Sequence, residues 1–292
     1  MFLTIFTPAY NRCDLLCRLY KSLLNQTNKS FEWLIVDDGS SDNTKNVVES
    51  WTEAGLINIR YIYQNNGGKY KAFNKGVKEA DTELFFCVDS DDFVTDNAVE
   101  IILTAWKKHK NDSSLSGILA VKVDQNKKRL SDMLPQGIAK CNTYLLSTKY
   151  KCNGEWALIY KTEILKNNLF PEFENTKFMP EILIYDKIAK CYDMLLIDKA
   201  VNVCEYQGDG YSSSYIRTMI ENPIGFKLYY AQRIDMALNL KERAGYILRY
   251  SAFKFLSTDN KYNYAGKHKL LCIMAAPFGF AVAVRYKALL KG

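Results

Sequence analysis

Five apolar residues in a row, Leu84-Phe85-Phe86-Cys87-Val88, lead directly into Asp89-Ser90-Asp91-Asp92. A run with no polar alternation reads as a strand buried on both faces, the mark of a parallel sheet covered by helices. Such a sheet keeps its ligands at the carboxyl ends of its strands, and this strand ends in three carboxylates. Crowded acids repel one another unless a cation or hydrogen-bond donors offset them, and a hard divalent ion with oxygen ligands is a usual offset. The turn points to a metal-dependent site.

The first 110 residues repeat the pattern of short apolar strand followed by helical spacing, which predicts βαβ units. Strands are expected at residues 2–6, 33–36, 59–63 and 84–88. Leu15, Leu16, Leu19, Tyr20, Leu23 and Leu24 recur at helical spacing, with Asn11 as the expected N-cap. Ser41 or Asp42 is expected to cap a helix running to about Trp51, and Thr95 the helix after the acid turn. Asn65-Asn66-Gly67-Gly68 reads as a loop before a helix at 70–80. Beyond it the pattern loosens: strands at 117–123 and 156–160, a loop at 170–179, a helix from near Pro180, and a helical, basic region from about Tyr215.

At 292 residues and 48% hydrophobic, the chain suffices for one large core with an appended subdomain. Its eight cysteines form no CxxC pair and only two histidines accompany them, which argues against zinc sites and a disulfide framework. Residues 1–6 carry no basic stretch before the apolar run and no cleavage site, so the chain is expected to stay in the cytoplasm. The acid turn is not an EF-hand, because Phe93 and Val94 stand where an oxygen ligand and Gly are needed. The Walker, GxGxxG, HExxH and GxSxG patterns are also missing, which removes the main support for NTPase, nicotinamide dehydrogenase, zincin and serine hydrolase readings.

Thr7-Pro8-Ala9-Tyr10-Asn11-Arg12, Leu24-Asn25-Gln26-Thr27, Val36-Asp37-Asp38-Gly39-Ser40-Ser41-Asp42 and Val88-Asp89-Ser90-Asp91-Asp92 follow one another in this chain. In that order they resemble family 2 glycosyltransferases of the GT-A fold, strongly over residues 1–110 and more thinly to 214. The resemblance implies an α/β fold, a Rossmann-like nucleotide-binding mixed sheet flanked by helices, over residues 1–214. A basic, mainly helical extension follows at 215–292. It implies metal-dependent inverting transfer of a sugar from a nucleotide sugar to a glycan or lipid-linked acceptor in surface polysaccharide synthesis. No nucleic acid partner is expected.

Carried over position by position, the resemblance puts Thr7, Pro8 and Tyr10 around the base and ribose, with Asp38 accepting from the base N–H. A carboxylate suits the N3 proton of uracil as a charge-assisted bond, so a UDP-type donor is expected, and a thymine donor presents the same edge. Lys69 is placed near the nucleotide and Asn74 in a short helix motif. Asp89 is expected to hold the ribose or help the metal, Asp91 to ligate Mg2+ or Mn2+ on the donor diphosphate, and Asp92 to be mainly structural. Glu181 is the expected general base, with Glu172, Glu174 and Asp186 as rivals. Glu155 is a candidate contact to the donor sugar. Two departures from the family stand out: Glu174-Asn175-Thr176-Lys177-Phe178 replaces an acid-Gly-Glu-Lys-Phe run, and no histidine lies near 206–212, where Asp209 is the available substitute. Tyr206, Tyr211, Tyr215, Tyr229 and Tyr230 are candidates for stacking on acceptor sugars. Two rival functions are a nucleotide-sugar-binding subunit without turnover and a sugar-phosphate nucleotidylyltransferase; the second needs a Gly-rich loop that residues 7–12 lack.

The net charge of +7 is C-terminal in origin: from Tyr211 onward 13 Lys or Arg face 4 Asp or Glu. Residues 270–284 carry no charge and are flanked by Lys267, Lys269, Arg285 and Lys287. That stretch is shorter than the roughly 20 apolar residues of a spanning helix, so peripheral contact with the inner face of a membrane is expected.

Overall fold

The computed structural model describes residues 2–205, 215–257, 259 and 262–289. The chain forms two compact units, one of Met1–Leu169 with Ile188–Gln207, the other of Phe170–Lys187 with Gly208–Gly292.

The first unit opens with β1 (Leu3–Ala9), α1 (Cys13–Leu24), β2 (Phe31–Asp37), α2 (Thr44–Ala54), β3 (Ile59–Tyr63), α3 (Lys69–Glu79) and β4 (Leu84–Cys87). It continues with β5 (Phe93–Val94), α4 (Ala98–Lys107), β6 (Leu115–Asp124), β7 (Lys140–Cys141), α5 (Thr143–Thr148), β8 (Trp156–Lys161), α6 (Thr162–Lys166) and β9 (Asp193–Cys204). One sheet takes all nine strands in the order β3-β2-β1-β4-β8-β6-β9-β5, with β7 on β9. Strands β3, β2, β1 and β4 are parallel, and β8 runs antiparallel to both β4 and β6. The chain winds from β1 outward to β3 and then returns to place β4 on the other side of β1. The strand order therefore reverses at β1 and β4, the position where open α/β sheets form a ligand crevice beyond their carboxyl ends.

Burial on both faces explains the apolar runs. On one face Leu3, Ile5, Leu84 and Phe86 join Trp33 and the inner stripe of α1, Leu16, Leu19 and Leu23. On the other, Phe6 stacks on Phe85 at 5.1 Å and meets Phe73 edge-on at 5.9 Å. Strand β1 runs past the predicted Phe6 because pairing with β2 continues to Ala9 opposite Asp37. Pro8 is tolerated there because β4 pairs only with residues 3–6, so no partner on that side requires its missing N–H.

Three predicted caps are corrected. The N-cap position of α2 is Asn43, not Ser41 or Asp42, although Asp42 Oδ1 accepts from Thr44 N at 3.0 Å. Asn11 is not the N-cap of α1; Arg12 holds that position, and the first helical N–H, of Cys13, donates to Asp42 from the next loop at 3.1 Å. Thr95 does not cap α4, whose N-cap position is Asn97. Gln26 serves that helix end instead: its Oε1 accepts from Val99 N at 3.1 Å, while its Nε2 donates to Thr95 O at 2.8 Å and Ser22 O at 3.1 Å. Strand β9 was not anticipated, because exposed Asp198 and Lys199 interrupt its apolar pattern where its register with β6 shifts.

The second unit contains α7 (Ile182–Ala189, whose last residues belong to the first unit), α8 (Tyr215–Glu221), α9 (Pro223–Met236), α10 (Leu240–Leu256), α11 (Lys269–Met274) and α12 (Ala276–Ala288). Phe226 stacks on Phe253 at 5.4 Å and on Phe178 at 5.9 Å. Arg233 of α9 grips Asp186 of α7 through Nε and through Nη2, the latter at 2.9 Å.

All four tryptophans, Trp33, Trp51, Trp106 and Trp156, lie in the first unit, so their fluorescence reports its unfolding. Gln26→Ala strands two buried backbone groups and is expected to cost about 2–3 kcal/mol, read as a lower urea midpoint with an unchanged slope. An unshifted midpoint would show that Gln26 does not hold α4.

Candidate active site

The loops after β1 and β2 are joined by side chains. Asn11 adopts a left-handed backbone with φ of 50°. Its N–H donates to Ser40 Oγ at 2.9 Å, and its Oδ1 accepts from Ser41 N at 2.8 Å. Asp42 serves the starts of two helices, accepting from Cys13 N at 3.1 Å and from Thr44 N at 3.0 Å. Burial works against its charge, but the Thr44 and Cys13 donors outweigh that and hold its carboxyl below the ordinary range. On β1 itself Thr7 is fully buried, and its hydroxyl accepts from the Trp33 indole at 3.0 Å. Pro8 is buried beside it, while Tyr10 is half exposed at the strand end.

At the end of β2, Asp37 accepts from Ser40 N at 2.7 Å and from the Tyr61 hydroxyl at 2.5 Å. Asp38 is buried and organises the loop before α3. Its Oδ1 accepts from Gln64 Nε2 at 2.7 Å and Gly67 N at 2.9 Å; its Oδ2 accepts from Gly68 N at 2.7 Å and Asn66 Nδ2 at 3.3 Å. Four donors match the full accepting capacity of a carboxylate. Gly39 permits this wrap: its φ is 88°, and an added Cβ would lie 2.8 Å from Asn66 N.

The turn after β4 divides its charges unequally. Lys69, the first residue of α3, reaches both oxygens of Asp89, at 2.7 and 2.8 Å. Burial opposes the Asp89 charge, yet Lys69 and Lys122 prevail and hold its carboxyl below the ordinary range. Asp92 turns inward. Lys122 of β6 lies 3.3 Å from its Oδ2, and Cys204 Sγ at the end of β9 donates to the same oxygen at 3.2 Å. Burial pushes the Asp92 carboxyl up to about 6 against the attraction of Lys122. Burial would equally favour a neutral Lys122, but Asp92, Cys204, Asp89 and Glu155 overcome it and keep the ammonium. Among the described residues no lysine or arginine is in salt-bridge contact with Asp91, and burial together with the Asp89 charge raises its carboxyl above the ordinary range against Lys69 and Arg12.

No group of three or more His, Cys, Asp or Glu arranged to hold a metal exists among the described residues. A divalent ion nevertheless fits the donor set. Asp89 and Asp91 present hard oxygens, and the Asp91 carboxyl is raised because burial and the Asp89 charge outweigh the attraction of Lys69 and Arg12. An ion there would need further oxygens from a bound ligand.

Glu181 belongs to the second unit. It is half-buried, one residue before α7, and its carbonyl accepts from Ile184 N at 3.1 Å. Its Oε2 accepts from the Tyr185 hydroxyl at 3.4 Å. Glu172 and Glu174 are exposed on the preceding loop. Asp186 is fully buried under Arg233, so it is a structural anion and not a base open to solvent. Tyr230 stacks on Phe253 at 5.6 Å, while Tyr215 is half exposed. Asp209, Tyr206 and Tyr211 lie outside the described residues. Lys122 is the residue that sequence reasoning missed; a lysine inside the apolar strand of residues 117–123, in a chain with an acid turn, was its available signal.

The profile of glycosyl transferase family 2 matches residues 4–172. The chain belongs to that family. A poly(ribitol-phosphate) β-N-acetylglucosaminyltransferase, TarP of Staphylococcus aureus, is 34% identical over 113 residues, 37% of this chain and 34% of that protein. An uncharacterized glycosyltransferase of Nostoc sp. is 29% identical over 187 residues, 59% of this chain and 54% of its own length. The chain thus spans about half or less of these curated relatives. Among solved structures, residues 1–349 of S. aureus TarS superpose with a TM-score of 0.63 at 21% identity, covering 99% of this chain and 83% of that one. A mannosyltransferase of Pyrobaculum calidifontis, in complex with GDP-Man and Mn2+, gives 0.57 at 16% identity over 99% of this chain and 78% of its own. These likenesses establish the GT-A fold.

Lys122→Met leaves the buried Asp92 without its cation and is expected to cost about 3–5 kcal/mol in the same fluorescence titration. Adding Asp92→Asn should restore most of the loss. Additive losses in the double variant would show that the two residues do not act as a pair.

Proposed function

We propose that the chain is a metal-dependent inverting glycosyltransferase moving a sugar from a UDP-type nucleotide sugar to a glycan or lipid-linked acceptor. The setting is surface polysaccharide synthesis in the cytoplasm, at the inner face of the membrane. Residues 1–214 form the catalytic domain and 215–292 a membrane-associating region. The observation that carries the reading is the acid turn at the strand-order reversal, where among the described residues lysines pair with Asp89 and Asp92 but no lysine or arginine is in salt-bridge contact with Asp91. Support for the donor class comes from TarS, a structural neighbour solved in complex with UDP-GlcNAc, at a TM-score of 0.59 and 18% identity.

In this reading Thr7, Pro8 and Tyr10 border the nucleoside; the buried Thr7 side chain leaves that contact to its backbone, and the exposed Tyr10 ring is free to cover the base. Asp38 receives the uracil N–H where the Asn66 amide now sits. That bond is the longest of its four, and the same amide already donates to the Asp38 carbonyl at 2.9 Å, so it can retreat without losing all partners. Lys69 faces the nucleotide while orienting Asp89. Asp91, with Asp89, would hold Mn2+ or Mg2+. When bound, the ion would supply Lewis-acid stabilisation of the departing nucleoside diphosphate. Glu181 accepts the proton of the acceptor hydroxyl as its oxygen bonds to the anomeric carbon and the bond from that carbon to the diphosphate breaks.

A transfer assay over a panel of UDP-sugars, with UDP titrated by calorimetry on the same samples, tests these roles. Glu181→Gln should lower turnover by at least 100-fold and leave UDP affinity within two-fold, whereas Asp91→Ala should abolish metal-dependent UDP binding. Full turnover in Glu181→Gln would move the base elsewhere, and failure of UDP, dTDP and GDP alike to bind would remove the transferase reading.

A further inference from the structure

Helices α11 and α12 have an apolar face on each side. The inward stripe is accounted for by packing. Cys272 and Ala283 are buried, and Tyr286 lies against Phe253 at 5.8 Å. Gly279 comes so close to α10 that a Cβ would lie 2.3 Å from that of Ser251. The outward side has no such partner in the second unit. Leu270, Met274 and Phe278 are 70%, 64% and 69% exposed, and Ile273, Phe280 and Val284 are each about half exposed. Phe255 of α10, also half exposed, meets Phe280 edge-on at 5.5 Å and extends the patch. Single exposed apolar residues are ordinary, but six on two successive short helices, with Phe255 against Phe280, mark an interaction surface.

Charge selects the occupant. From residue 260 to 292 there is no Asp or Glu. Lys267, Lys269, Arg285 and Lys287 are all exposed around the patch. A second copy of the chain would bring the same cations against these, and like charges facing one another across an interface disfavour it. An anionic bilayer satisfies both features, because lysine and arginine stems lie along apolar surface while their heads reach lipid phosphates. No described helix is long and apolar enough to cross a membrane, so the pair lies in the plane of the interface.

We propose that α11 and α12 are an interfacial anchor that inserts Leu270, Ile273, Met274, Phe278, Phe280 and Val284 into an anionic leaflet, with Lys269, Arg285 and Lys287 on its phosphates. This rests on the peripheral membrane contact in the functional reading and names its chemistry and its face. The test is sedimentation of the full chain with vesicles of phosphatidylcholine alone and of phosphatidylcholine with 30% phosphatidylglycerol (roughly the anionic content that polybasic anchors sense). Binding to the anionic vesicles should exceed that to neutral ones by about ten-fold or more. The exposed-site variant Leu270→Ser/Met274→Ser/Phe278→Ser should lose at least ten-fold of it, and Lys269→Gln/Arg285→Gln/Lys287→Gln should abolish the preference for anionic lipid. UDP titration and the urea midpoint should stay unchanged in both variants. No binding of the wild type to anionic vesicles, or equal binding by the serine variant, would overturn the proposal. So would a concentration-dependent dimer that the serine substitutions dissolve, since the face would then cover a second copy. UDP binding is an independent readout: its failure would sink the donor reading while leaving the vesicle result to stand or fall by itself.

Discussion

A turn that carries Asp89, Asp91 and Asp92 within four residues has to be neutralised before a sheet can close around it, and much of the first unit is arranged to do so. Lys122 rises from β6 under Asp92, and Lys69 opens α3 beside Asp89. The two cations lie on α3 and on β6, which β8 separates from β4, so the sheet must close in one register for the charges to meet. Asp91 is left to the more distant charges of Lys69 and Arg12. Two lysines face three acids, and the remaining acid, Asp91, stands at the strand-order reversal with its carboxyl raised by burial and by Asp89. Burying charge without full compensation is costly, which is why the proposed metal is assigned to Asp91.

The rest of the site is held by bonds between loops rather than within them. Asn11 binds the loop after β2, Asp42 serves α1 as well as α2, and Asp38 draws residues 64–68 around itself. Each carboxylate or amide serves a neighbour 26 or more residues away, as in Gln64 to Asp38, where the separation is 26 residues. A site assembled this way is preorganised, since no single loop can move without breaking bonds to another. The same economy limits access to Asp38, whose four donors leave exchange of the Asn66 amide as the least costly opening.

What was legible in the sequence followed locality. The runs of β1 to β4 were readable because burial on both faces removes polar alternation, and the acid turn because its three carboxylates lie within four residues of one another. The helix caps were misread for the opposite reason. Asn11 and Thr95 are good capping residues close to the helix starts, but Asp42 and Gln26 arrive from elsewhere in the fold and accept from the first-turn N–H groups instead. Strand β9 escaped notice because its exposed middle breaks the alternation that identifies strands. Asp186 read as an available acid until Arg233, 47 residues further along, was seen to enclose it. Lys122 belongs with these: only the pairing of β6 into the sheet brings it beneath Asp92.

The central proposal is that Asp91, with no salt-bridge partner among the described residues, binds a metal together with the nucleotide. Mn2+ binding followed by electron paramagnetic resonance, with and without UDP, tests it most directly. Two carboxylates, one already held by Lys69, should bind Mn2+ weakly alone, and UDP should raise the affinity by roughly 100-fold, reciprocally with the effect of Mn2+ on UDP binding. Tight Mn2+ binding without nucleotide, or UDP binding indifferent to Mn2+, would contradict the account.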